Sequence, residues 1–275
     1  MIRVRPVPPV PEFLLSAAAN DERAQAIDVF GDDPDATFTF KAYKNRSVRR
    51  ALNDAFHFKC AYCESSFAAT QPVAVEHYRP KSAVVGADGK LKRPGYYWLA
   101  GTWENLLPSC TDCNSAREQE IVGEEARTLG KANKFPLANE TARAKTPEAE
   151  KQERRLLLHP YLDHPERHLV FDEGGGVKPA RSASGRESKK GVHSIEVYGL
   201  RRVGLSEERV RVARLVLASV KRIGDLRVLF GRTGDPLAEQ MLRDEIQQLK
   251  TVLADTSEYS AMARQLASEL VEELG

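Results

Sequence analysis

The stretch that decides the fold runs CAYCESSFAATQPVAVEHYRPK (60–81) and resumes at WENLLPSCTDCNSAR (103–117). It holds all four cysteines of the 275-residue chain, as two C-x-x-C pairs, Cys60 with Cys63 and Cys110 with Cys113. Glu76-His77 lies between the pairs, and Asn114 follows the second directly. Two such pairs far apart in sequence suit four thiolates around one tetrahedral zinc. In a reducing compartment that pattern favours zinc over disulfides. The competing reading is a redox motif or a coincidence of buried cysteines. Zinc held by four thiolates has no open position, so it builds a fold and leaves the chemistry to neighbours.

His77 closes a short alternating run, Pro72 to His77, that reads as a strand. A neutral imidazole there can take a proton from water. The Glu76 carboxylate and the Asn114 amide oxygen are hard donors of the kind that hold magnesium or manganese. A Glu-His pair alone is commonly a core or surface pair; its place between two zinc knuckles favours chemistry. Outward from it, Arg79 to Gly95 reads as a long loop and the aromatic run Tyr96 to Trp103 as core. Asn105 to Pro108 predicts a second strand and Thr111 to Ile121 a helix. The order is therefore strand, loop, strand, helix.

Upstream, Met1 to Pro11 carries four prolines and should be extended, Glu12 to Ala26 predicts a short helix, and Tyr43 to Phe56 has apolar residues at helical spacing. Downstream, Glu124 to Glu153 is charged and permissive for helix, broken at Asn133 to Leu137. Gly174 to Gly176 and the basic, Ser-rich run from Arg181 to Lys190 suggest a boundary, beyond which Leu205 to Phe230, Pro236 to Leu253 and Tyr259 to Leu274 read as helices.

Several quoted segments together resemble a known family: Glu76-His77-Tyr78-Arg79-Pro80-Lys81, Tyr97-Trp98-Leu99-Ala100, Trp103-Glu104-Asn105-Leu106-Leu107, Cys110-x-x-Cys113-Asn114-x-x-Arg117 and Lys134-Phe135-Pro136-Leu137. They resemble HNH endonucleases with a ββα-metal core, and more narrowly the HNH subunit of Septu-type and retron-associated anti-phage operons. The resemblance runs from Lys41 to about Ile223. It implies an α+β, mostly helical fold: an N-terminal segment (1–40), a zinc-stapled HNH domain (41–180) and a C-terminal helical region (191–275). It implies that His77 is the general base, that Glu76 and Asn114 hold a catalytic magnesium or manganese ion, and that Asn105 braces the loop and orients His77. Lys81 and Arg117 would meet substrate phosphate, the substrate being DNA and a partner an ATPase of the same operon. Glu76 stands where Asp is commoner, and Arg117 where Lys is.

Charge is uneven beneath a formal net of +2. Lys41 to Lys59 has six Lys or Arg against one Asp, Arg186 to Arg232 has twelve basic residues against five acidic, and Thr233 onward has three against nine. Two basic zones suit a polyanion, and equally suit ordinary solvated helix faces. No apolar run reaches the length of a membrane helix and the N-terminus lacks a signal-peptide core, so a cytoplasmic protein is expected. The rival to a nuclease is a non-catalytic zinc-stapled module that binds nucleic acid or docks an ATPase through its acidic C-terminal helices. His159, His164 and His168, near Asp163, could form another metal site, although packing is the ordinary reading. His57 and His193 have no local partners.

Overall fold

The computed structural model describes residues 1–67 and 74–268. Ser16 accepts a hydrogen bond from the Ala19 amide and opens α1 (Ala17–Asp32), which follows a 3-10 turn at Glu12–Leu15. This is the helix expected from Glu12, begun later and carried further. Asn45 caps α2 (Arg46–Ala55) by accepting from the Ser47 amide, supplying a partner for a donor that a helix start leaves unpaired. Val48 and Leu52 are buried with Trp103 and Leu106, while Arg46, Arg49 and Arg50 stay exposed. Burying each of those two aliphatic side chains contributes about 1.5–3 kcal/mol. The amphipathic stripe thereby fixes α2 against the strand that carries the second half of the site.

That strand belongs to a small antiparallel pair. The alternating run forms β1 (Ala74–His77); residues 72 and 73 of the expected strand lie outside the described residues. The expected loop after it contains a short hairpin, β2 (Val84–Val85) with β3 (Leu91–Lys92). The second strand is β4 (Leu106–Ser109), one residue later than expected, and it pairs with β1 so that Glu76 faces Leu107 and His77 faces Leu106. A single helical turn, α3 (Thr111–Asn114), follows.

Here the expected helix from Thr111 to Ile121 is corrected. The chain turns extended at Ser115 and returns as the hairpin β5 (Arg117–Ile121) with β6 (Glu124–Leu129). Gln119 and Ile121 are buried while their neighbours are exposed, the two-residue period of a strand. Glu124 to Glu153 is likewise a strand and 3-10 turns, not helix. Gly130 ends the hairpin at φ +105°, and a Cβ there would overlap the Ser115 carbonyl oxygen. Only glycine lets the chain pass α3 this closely, and the passage delivers Lys131 behind β1.

A third hairpin, β7 (Leu169–Phe171) with β8 (Val177–Pro179), leads to α4 (Lys189–Val197), which packs on β8. The remaining periodic segments form α5 (Val203–Thr233), α6 (Pro236–Leu253) and α7 (Ser260–Leu266). The expected continuation of the last helix beyond 268 lies outside the described residues. The main apolar cluster joins Tyr62, Tyr78 and Trp98 to Tyr198, Ala213 and Met262, so the aromatic run is core as expected. The architecture is mixed α/β, with 46% of the described residues helical, so the expectation of a mostly helical chain is too strong. No helix among the described residues is long and apolar enough to cross a membrane.

Candidate active site

The two C-x-x-C pairs meet. Cys60, Cys63, Cys110 and Cys113 are buried and unbridged, with their sulfurs all within 4.8 Å of one another. The Cys63 and Cys110 sulfurs are 3.8 Å apart. A tetrahedral zinc with bonds of about 2.3 Å sets its ligand sulfurs about 3.8 Å apart, so the donor set fits that ion. The Ala61 amide donates to Pro108 O (2.9 Å), tying the first pair to β4, and the second pair begins where β4 ends. The cysteines thus clamp β4 and α3 together. Among the described residues no other group of His, Cys, Asp and Glu converges in this way.

His77, at the end of β1, is 5% exposed. Its Nε2 lies 3.0 Å from Ala100 O, so that nitrogen carries the proton and donates it, and Nδ1 is left as the acceptor. Burial, reinforced by the ammonium of Lys81, holds the His77 imidazole well below its ordinary pKa and hence neutral. Asn105 stands beside it. Its Oδ1 accepts from the Arg79 amide (2.7 Å), its Nδ2 donates to Arg79 O (3.1 Å) and Leu99 O (3.2 Å), and its own carbonyl accepts from the Tyr78 amide (2.9 Å). One buried amide therefore joins the residue two after His77 to the segment that supplies Ala100. This is a brace for the loop on both sides of the imidazole.

Glu76, the residue before His77 on β1, is buried and meets a partner that sequence patterns missed. The ammonium of Lys131, fully buried, lies 2.5 Å from Glu76 Oε1 and donates to His77 O at 2.8 Å. The same short segment holds α3: the Lys131 amide donates to Cys113 O (2.9 Å) and the Ala132 amide to Asn114 O (2.6 Å). Burial raises the Glu76 carboxyl pKa while Lys131 opposes the rise. Burial likewise lowers the Lys131 ammonium, and Glu76 opposes that. Glu76 and Asn114 are thus tethered to one loop, with an ammonium placed at the carboxylate.

Tyr43 is the second missed neighbour. Its ring meets the His77 ring edge-on at 4.5 Å, and the ammonium groups of Lys81 and Lys44 lie 4.9 Å and 5.6 Å from its centroid. Tyr43 and Lys44, from the basic stretch that begins at Lys41, are thereby brought close to His77. Arg117 is exposed and pairs with Asp112 at 3.0 Å. The three clustered histidines are used separately: His159 bonds Glu104 O, His164 meets Glu166 and Arg3, and His168 meets Ser188. His57 is exposed and His193 half-buried.

Fold and site together define a mixed α/β protein in which a four-cysteine cluster is set beside a buried Glu-His pair. No protein-family model matches the chain. It is 36% identical over 253 residues to Septu protein PtuB of Bacillus mycoides (strain KBAB4), an alignment covering 87% of this chain and 79% of that protein. It is also 29% identical over 202 residues to Septu protein PtuA of the same organism, covering 73% of this chain and 24% of that longer protein. The chain belongs to the Septu PtuB family.

Proposed function

We propose that the chain is a metal-dependent HNH endonuclease that hydrolyses DNA phosphodiester bonds as the nuclease effector of a bacterial anti-phage system. Membership of the Septu PtuB family supports the defence role. The observation that carries the nuclease reading is the His77 imidazole. It is neutral, fixed through Nε2, and free to accept at Nδ1, at the end of the first strand of a strand, strand, helix unit stapled by four cysteines.

In this mechanism His77 Nδ1 takes the proton of the attacking water, and the Ala100 carbonyl steadies the imidazolium that forms. Asn105 holds the loop so that the ring cannot turn away. Glu76 and Asn114, both oxygen donors, would hold a magnesium or manganese ion. When bound, that ion supplies positive charge to a phosphorane-like transition state and to the departing 3′ oxygen. Lys81 and Arg117 contact substrate phosphates, and a structural zinc on the four cysteines keeps the parts in register. The nuclease unit spans 41–180, the C-terminal region 191–275 is available to a partner ATPase encoded in the same operon, and the protein works in the cytoplasm.

One observation favours a non-catalytic, zinc-stapled binding module instead: Glu76 is already paired with the buried ammonium of Lys131. The two readings part on a second ion. Titrating manganese into the zinc-loaded chain should reveal one site, lost in Glu76→Gln and removed by EDTA under conditions that leave zinc in place. Absence of any such ion, with zinc present and the fold intact, would favour the binding module.

A further inference from the structure

Arg202 precedes the first residue of α5 and is 8% exposed, a costly place for a guanidinium without partners. Its partners are sulfurs. Nη1 donates toward Cys113 Sγ at 3.5 Å, and Nη2 toward Cys63 Sγ at 3.5 Å and Cys110 Sγ at 3.8 Å. Nη1 also reaches Gly199 O (3.0 Å), and Nε lies 3.6 Å from Asp112 Oδ2. A single planar cation faces three of the four cysteines.

We propose that Arg202 is an outer-sphere partner of the metal–thiolate centre and that it keys the C-terminal helices to that centre. Four thiolates around a divalent ion leave a net charge of −2 in a buried place. A guanidinium offsets half of that charge, and its fork of N–H groups can serve several sulfurs at once, as an ammonium cannot. The turn that presents Arg202 is held on every side. Gly199 adopts φ +61° against Gln119 and Leu129, the Val122 amide donates to Arg201 O (3.2 Å), and buried Arg209 donates to Leu200 O (2.8 Å). Gln119 in turn donates to Asp112 O on α3 (2.9 Å). The cysteine cluster, β5 and the start of α5 form one connected joint. The inference rests on zinc at the four cysteines and is independent of nuclease activity.

The test is zinc affinity, measured on the full chain by competition with a chromogenic chelator, together with the sulfur-to-metal charge-transfer band of the cobalt-substituted protein. Arg202→Met should weaken zinc binding about 10–100-fold and shift the cobalt band, with Arg202→Lys between it and the parent. Arg201→Ala, which removes an exposed neighbour paired with Glu124, should change neither. A folded Arg202→Met chain that binds zinc within about twofold of the parent, with an unshifted band, overturns the proposal. So does a parent chain that takes up no zinc. If Arg202→Met does not fold, hydrogen exchange of the parent decides: stripping zinc should deprotect the amides of 199–206 along with α3, and protection retained at 199–206 while α3 opens overturns it.

Discussion

Replacing Lys131 by methionine removes one half of a fully buried ion pair and leaves the other half in place. The ammonium sits 2.5 Å from Glu76 Oε1 and 2.8 Å from His77 O, with no exposure of its own. Taking one partner from such a pair costs about 3–5 kcal/mol, because the remaining charge is stranded away from water. The loss has a pH signature. Burial already raises the Glu76 pKa and Lys131 opposes the rise, so in Lys131→Met it rises further. A carboxyl whose folded pKa lies above its unfolded value binds its proton more tightly in the folded state, so stability falls as pH rises from the unfolded value through the folded one. The slope reaches about 1.4 kcal/mol per pH unit. Urea unfolding of zinc-loaded parent and variant at pH 5 and pH 8 should therefore show a deficit that widens at the higher pH. The double variant Lys131→Met with Glu76→Gln, which leaves no stranded charge, should recover most of it. If Glu76 is a metal ligand, manganese should also stabilise the single variant, by about 2.7 kcal/mol at a hundred times its Kd. A single variant within about 1 kcal/mol of the parent at pH 8, or a double variant no better than the single, would refute the reasoning.

Two other perturbations probe the frame around the site. Gly130→Ala forces a left-handed backbone on alanine and drives its Cβ into the Ser115 carbonyl; a loss of at least about 1–3 kcal/mol is expected, read as a lower midpoint in chemical unfolding. His159 is buried, and that burial, reinforced by Arg155, holds its pKa down to about 3 against an ordinary 6.5. Its contribution is present above pH 6.5 and is lost as pH falls from there towards 3, by up to about 1.4 kcal/mol per unit. Unfolding measured between pH 7 and pH 4 should thus weaken less steeply in His159→Gln than in the parent.

The parts of the site that follow from local pattern were legible in the sequence. The cysteine pairs declare their geometry by spacing, and the alternation up to His77 and the apolar run after Asn105 place two strands. The helix expected from Thr111 to Ile121 failed because its polar residues fit either period. Pairing with β6 decided for a strand, at the side where Gln119 and Ile121 could be buried. Lys131 was invisible for a different reason. It lies 54 residues from the carbonyl it holds, and nothing in its neighbourhood marks it except the glycine before it. Tyr43 and Arg202 were hidden likewise: each looks like a member of a basic helix, and only tertiary packing turns one toward His77 and the other toward the cysteines.

The measurement that bears most directly on the account is cleavage of supercoiled plasmid DNA by the zinc-loaded protein with magnesium, in the presence of the proposed ATPase partner, compared between the parent and His77→Ala. The parent should nick or cut the plasmid, and His77→Ala should not, while both retain equal zinc. Cleavage by His77→Ala at the parent's rate would contradict the assignment of the base, and with it the site built around that imidazole.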